Sequence, residues 1–344
     1  STSSLPQKQN MNHNLPAWVE ALKHPEAYPQ TPKSVGLTET HTSYLFRADE
    51  LLYKVKKPGN EYPSPSIKEV FCREEARLLQ QFNHAFPARV VPVHETSGGF
   101  QLEGEGSPVE YALEIPFLRE SGFLNVRLDK EKAGVADLER IGAQLAETHA
   151  SLAVKDKDKV ANSARPEAFR ALCEDFLYQL KRYFDASLTQ PILDMIRHPL
   201  EKFLDDNGAI LMRRLRKGRV VGGHGAFLPE HLHLKGETIT VASPQEVHRK
   251  YAVLDVANDV AALSVELMRR NRNDLRTVFL QRYIDTSKDR ELNRLLPLYE
   301  TFQALKQGVN SCEMKVALQD DALGELGMDY FQLAVRRSRD LSHV

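Results

Sequence analysis

The sequence predicts an α+β chain of two lobes, a small strand-rich one followed by a larger helical one, and two textures carry that expectation. From about Val35 to Leu118, short β-type runs alternate with turn residues and a single helix interrupts them. Beyond Leu118, apolar residues recur at helical spacing for most of the remaining chain. With 344 residues, 42% of them hydrophobic, there is enough chain for two substantial cores. The expected boundaries are an N-terminal extension over 1–32, a strand-rich lobe over 33–118 and a helical lobe over 119–344.

In order along the chain, the extension is rich in Ser, Gln, Asn and Pro but holds "PAWVEALKHP", where Trp18, Val19 and Leu22 form one amphipathic docking face. "SYLFRA" and "LLYKVKK" follow as strands around the turn "DE", and later "RVVPVHE", "GGFQLEG" and "VEYALEIPF" repeat the style. Between them "IKEVFCREEARLLQQF" reads as a helix with Val70, Phe71, Glu74, Leu78 and Leu79 near helical spacing. In the second lobe "GVADLERIGAQLAETHASL" puts Leu138, Ile141, Leu145, His149 and Leu152 on one stripe, and "PEAFRALCEDFLYQLKRYF" and "LTQPILDMIRHPLEKFL" are further helices. Residues 219–255 are the exception, where "ETITVAS" and "YAVLDV" place short strands and loops among the helices.

Charge excludes some functions. The chain has 46 basic and 47 acidic residues, so no global field recruits nucleic acid or an anionic membrane, and a charged ligand has to be held locally. The basic runs "RRLRKGR" and "MRRNRNDLR" lack aromatic interleaving and read as solvated helix faces rather than an RNA surface. No window approaches the roughly 18 apolar residues of a membrane span, and the start lacks a leader pattern, so a cytoplasmic location is expected. Cys72, Cys173 and Cys312 fit reduced thiols rather than a disulfide framework.

"LLYKVKKP" alternates in strand period, placing Lys54 and Lys56 on one face and Tyr53, Val55 and Lys57 on the other. A lysine on a third strand that pairs with a glutamate of the following helix is how kinase-type enzymes hold nucleotide phosphates. Glu75 is the better placed partner here and Glu74 the alternative. The polar turn in "VGLTETHTSYLF" has Gly36 as its only glycine but offers Thr38, Thr40, Thr42 and Ser43 as hydroxyl donors. No P-loop pattern occurs anywhere in the chain.

The series "ETHTSYLFRADELLYKVKKP", "CREEARLLQQF", "VEYALEIPF", "GRVVGGHG", "VLDVANDVAALSVEL" and "LLPLYETFQALKQG" resembles the aminoglycoside-phosphotransferase-like kinase domains that bacteria often fuse to a P-loop ATPase domain; the resemblance runs over about residues 34–318. It implies a protein-kinase-like fold, with Lys54, Lys56 and Glu75 at the phosphates and Glu114, Ile115 and Phe117 lining a base pocket. It also implies a catalytic loop H-G-D-x-x-x-x-N, which this chain fills with His224, Gly225, Ala226 for the Asp and His231 for the Asn. The family's later metal-binding Asp falls at 242 or 243, best matched by Ser243, while Glu246, Asp255 and Asp259 stand where the family has acids.

Three such replacements imply a scaffold with an emptied catalytic centre: a pseudokinase acting as a binding or regulatory module toward a protein partner or small molecule. The implied cofactor is ATP or another nucleotide, with Mg²⁺ disfavoured because it requires oxygen ligands. His231 and Glu246 remain as substitute metal ligands, and the cluster His224, His231, His233 and His248 beside Glu230 offers a transition-metal alternative. The competing reading is an active ATP-dependent phosphotransferase, or another nucleotidyl or phosphoryl transfer enzyme, with rearranged metal ligands and a small-molecule substrate. Asp255 and Asp259 are expected to brace the loop in either case.

Overall fold

The computed structural model describes residues 14–59, 61–161 and 164–343, so residues 1–13 of the 1–32 stretch read as extension lie outside the described residues. The chain separates into two compact units: one runs to Lys132 and takes in Thr240–Val247, and the other comprises Ala133–Ile239 and His248 onward. The division therefore falls at 132 rather than 118, and a short piece of the later chain belongs to the first unit.

The first unit is built on six antiparallel strands: β1 (Val35–Glu39), β2 (Ser43–Ala48), β3 (Leu51–Lys56), β4 (Arg89–Thr96), β5 (Gly99–Leu102) and β6 (Pro108–Pro116), in the order β1-β2-β3-β6-β4-β5. One face buries Tyr44, Phe46, Tyr53, Val55, Val91 and Val93. Helix α1 (Ala17–Leu22) joins that core: Val19 and Leu22 are fully buried in it and Trp18 meets the Tyr44 ring edge-on at 5.6 Å. The docking face read from the sequence is thus used inside the unit, each buried aliphatic contributing about 1.5–3 kcal/mol.

Helix α2 (Pro65–Phe82) starts at Ser64, whose Oγ accepts the Ile67 N–H, with Pro65 in the first turn where no N–H is needed. Its inward face differs from the apolar stripe expected. Val70 is 61% exposed, whereas Lys68 and Glu75 are buried beside Ala76, Leu79 and Phe82. The reason is pairing: Lys68 Nζ donates to Glu110 at 2.6 Å and to the Lys56 carbonyl at 2.8 Å, so a charged residue occupies a core position. A short helix α3 (Leu124–Asp129) ends the continuous part of the unit.

The second unit is mostly helical: α4 (Val135–Ser151), α5 (Lys157–Ala161), α6 (Pro166–Phe184), α7 (Gln190–Asn207), α8 (Ala209–Arg216), α9 (Ala257–Arg269), α10 (Asn273–Ser287), α11 (Leu292–Leu318) and α12 (Asp321–Asp340). Helices α4 and α10 cross so closely that a Cβ on Gly142 would lie 2.8 Å from the Phe279 carbonyl. Along the chain two strand pairs interrupt the helices, β7 (Val220–Gly222) with β10 (Val253–Asp255) and β8 (Leu232–Lys235) with β9 (Thr238–Val241), the chain passing to the first unit at Thr240. The β7–β10 pair, with Val221 opposite Leu254, leads into the loop after Gly222. Among the described residues, no helix is long and apolar enough to cross a membrane.

Candidate functional site

In the first unit the β2–β3 register sets Ser43 opposite Lys56 and Leu45 opposite Lys54, so Ser43, Lys54 and Lys56 share one face of the sheet. Helix α2 supplies Glu75, whose Oε1 accepts from Lys54 Nζ at 2.7 Å. Burial pulls the Lys54 ammonium down, but Glu75 and Glu246 outweigh it and hold the group above its ordinary value. Glu74, the alternative partner, is taken by Arg77 on the outer side of the helix.

Glu246 lies on the returning segment and comes to the same strand. Its Oε1 accepts the Tyr62 hydroxyl at 2.8 Å and lies 3.4 Å from Lys56 Nζ. Burial, then the neighbouring Lys54 charge, holds Lys56 below its ordinary value. Asn83 ties this segment down: its Nδ2 donates to the Val241 carbonyl at 2.8 Å while its Oδ1 accepts the Val241 N–H at 2.7 Å. Ser243 follows with φ +51°, a left-handed conformation uncommon outside glycine.

The turn hydroxyls divide. Thr40 Oγ1 closes the β1–β2 turn by accepting the Ser43 N–H at 3.0 Å. Ser43 is 2% exposed and its Oγ has no hydrogen-bond partner among the described residues. Of the expected base-pocket residues, Ile115 is buried against Ala76 and Leu79, and the Arg47 guanidinium stacks over Phe117 at 3.8 Å. Glu114 is held by the Tyr53 hydroxyl at 2.7 Å and by Arg89.

In the second unit the loop after β7 is organised by Asp259. Its Oδ2 accepts the His224 N–H at 2.8 Å and its Oδ1 the Gly225 N–H at 3.0 Å, while His149 Nε2 lies 2.9 Å from Oδ2 and His149 Nδ1 lies 2.7 Å from the Tyr283 hydroxyl. Burial raises the Asp259 carboxyl, but His149 and His224 prevail and hold it at about 2. Gly223 is required here, since a Cβ would meet the Ala252 carbonyl at 2.6 Å and Asp259 at 2.9 Å. Asp259 therefore holds two successive backbone amides of the loop.

Asp255 does something else. It accepts from Arg214 at 2.6 and 3.1 Å, and Arg214 also donates to Asp289 at 2.8 and 2.6 Å, forming a buried triad away from the loop backbone. The expectation that both acids brace the loop is corrected for Asp255, because its oxygens are taken up with those of Asp289 in satisfying the N–H donors of the buried Arg214 guanidinium. The basic runs are likewise ion-paired: besides Arg214, Arg213 meets Glu291, Arg269 meets Glu266 and Arg276 meets Glu300.

Ala226 places a methyl where the pattern expects a carboxylate. Its N–H donates to His224 Nδ1 at 3.1 Å and its carbonyl lies 2.7 Å from His231 Nδ1. A carbonyl only accepts, so His231 carries a proton on Nδ1 and leaves Nε2 as its remaining nitrogen. Among the described residues, no group of three or more His, Cys, Asp or Glu side chains is arranged to hold a metal ion. His224, His231, His233 and His248 therefore do not converge on a transition-metal site with Glu230.

Sequence reasoning missed Lys306. It sits on α11, 5% exposed, with Nζ donating to the Gly225 carbonyl at 2.6 Å and lying 5.5 Å from the centre of the Tyr251 ring. Burial pulls its ammonium down to about 8, with Asp259 opposing. The available signal was a lysine inside the stretch Leu295–Val309, which is buried on every side of the helix.

No family profile matches the sequence. An uncharacterized protein of Mycobacterium tuberculosis and one of Mycobacterium bovis are each 22% identical over 293 residues, which is 83% of this chain and 57% of theirs. The chain thus spans little more than half the length of these relatives. Among solved structures, a choline kinase from Cryptosporidium parvum superposes with TM-score 0.58 at 11% identity, covering 94% of this chain and 95% of that one. A choline/ethanolamine kinase family protein from Mesorhizobium loti gives 0.55 at 14%, covering 93% and 98%. The GDP complex of aminoglycoside 2′-phosphotransferase-IIIa gives 0.51 at 13%, covering 89% and 93%. The chain has the kinase-like fold shared by choline/ethanolamine kinases and aminoglycoside phosphotransferases.

Proposed function

We propose that this protein is a kinase-fold binding or regulatory module that does not carry out ordinary γ-phosphoryl transfer but still holds a nucleotide-type phosphate ligand. The observation that carries the reading is the loop around Ala226. No side chain at that position can take a proton, and His231, at the place of the metal-holding Asn, donates from Nδ1 to the Ala226 carbonyl 2.7 Å away. Phosphoryl transfer depends on positioning and on neutralising charge through Mg²⁺, and a missing general base alone costs about 10²–10⁴-fold. Retention of a phosphate ligand is supported by the Lys54–Glu75 pair and by the buried Ser43 hydroxyl on the same face. The module's output goes to a protein partner or a small molecule, with nucleic acid disfavoured by the ion-paired basic runs.

Calorimetric titration of ATP and ADP, with and without Mg²⁺, tests this on the full chain and on Lys54→Ala, alongside an assay for γ-phosphate transfer. The expected outcome is nucleotide binding weakened at least tenfold by Lys54→Ala, with no transfer detected. Metal-dependent transfer at the roughly 1–100 s⁻¹ typical of kinases would overturn the reading in favour of an active phosphotransferase.

A further inference from the structure

The residues present do not suit Mg²⁺. That ion requires near-octahedral oxygen ligation, usually including carboxylates. In the first unit Ser243 brings a hydroxyl where the pattern has an Asp. The carboxylate nearby, Glu246, is 6% exposed and engaged by the Tyr62 hydroxyl at 2.8 Å and the Lys56 ammonium at 3.4 Å. A carboxylate already neutralised by a buried ammonium is a poor ligand for a second cation, which the same ammonium repels. His231, in the second unit, offers nitrogen, which suits transition metals better than Mg²⁺.

We infer that Lys56, positioned by Glu246, takes over the charge-neutralising role of the divalent cation, so that this protein binds polyphosphates as metal-free anions. The inference rests on the phosphate-binding reading above and names the state of the ligand that the site accepts. Three observations carry it. Lys54 and Lys56 lie on one face of β3 and bring two ammonium groups to the same space. Their pairings differ: Lys54 makes a close bond to Glu75 at 2.7 Å, while Lys56 makes only a longer contact with Glu246 at 3.4 Å, and an ammonium has three donors to direct. Ser43, directly opposite Lys56, is 2% exposed with an Oγ that has no hydrogen-bond partner among the described residues, a partner that a phosphate oxygen would supply. Lys57, by contrast, is turned to the other face, where it pairs with Glu39 at 2.5 Å.

The experiment is calorimetric titration of inorganic tripolyphosphate and of ATP into the full chain, in EDTA and in excess Mg²⁺, repeated on Lys56→Met and Lys56→Arg. Wild type is expected to bind both probes in EDTA, and Mg²⁺ to weaken that binding by sequestering the free anion. Lys56→Met should lose at least tenfold in EDTA and Lys56→Arg should retain most of the affinity. Mg²⁺ strengthening wild-type binding, or Lys56→Met binding as wild type does in EDTA, overturns the assignment to Lys56 while leaving the phosphate-binding reading intact. Absence of binding by either probe in both conditions removes both. Should Lys56→Met not fold, the EDTA and Mg²⁺ arms on wild type, together with Lys56→Arg, decide the matter.

Discussion

The first unit presents cations and a buried hydroxyl on one sheet face, whereas the second holds the backbone of a loop with a buried carboxylate and carries a methyl at its turn. In the first, Lys54 and Glu75 are bonded to each other. In the second, Asp259 grips two successive loop amides while Ala226 adds only a methyl. The difference teaches which residues a fold holds fixed. Those built into buried networks cannot change without leaving charge or donors unsatisfied, but a side chain that faces only a substrate can be replaced at little cost to stability.

The largest expected effect strikes the frame. Asp259→Ala leaves the His224 and Gly225 amides and His149 without their acceptor, and urea unfolding should register a loss of about 3–5 kcal/mol. The depressed Asp259 carboxyl adds a pH signature. Its contribution is present above the ordinary value of 3.8 and is lost as pH falls through about 2, amounting to about 2 kcal/mol. Asp259→Asn should remove that acid limb from the stability curve.

Lys306 supplies the opposite limb. Its native value of about 8 lies below the ordinary 10.5, so the unfolded chain binds more protons between them and stability rises with pH across that window. The rise is about 3 kcal/mol, and below pH 8 the native state bears the full cost of the buried charge. Lys306→Met should flatten this limb, seen as a wild-type minus variant difference that changes between pH 8 and 10.5. An unchanged difference would mean that the Gly225 carbonyl, not burial, governs Lys306.

Smaller effects sharpen the first-unit side of the comparison. Asn83→Ala deletes both bonds to Val241 and strands a buried amide and carbonyl, for an expected loss of about 2 kcal/mol in the same unfolding assay. Val70→Asn, on the exposed side of α2, should stay within about 0.5 kcal/mol of wild type. A larger loss there would show that this face is covered by something in solution.

The α+β layout, the strand period that sets Lys54 and Lys56 on one face, and the choice of Glu75 over Glu74 were legible because each depends on neighbours close in sequence or on a periodicity. The inward face of α2 was not, since apolar counting favours Val70 and cannot anticipate that Lys68 will be buried by Glu110. The role of Asp255 was hidden for the same reason: its partner Arg214 sits inside a run that reads as a solvated basic face. Lys306 and Gly225 are 81 residues apart, and no local pattern links them. Local order is written in short windows, whereas the pairing of buried charges is settled only when distant segments meet.

The bond between Asn83 and Val241 spans 158 residues and ties a late segment into an early unit. On a ribosome adding roughly 5–20 residues per second, the chain from Lys132 to Val247 takes several seconds or more to appear. Throughout that interval the nascent first unit lacks its closing piece, with Lys56 still without Glu246. It is a period in which a chaperone, or an early phosphate ligand, would meet an incomplete fold.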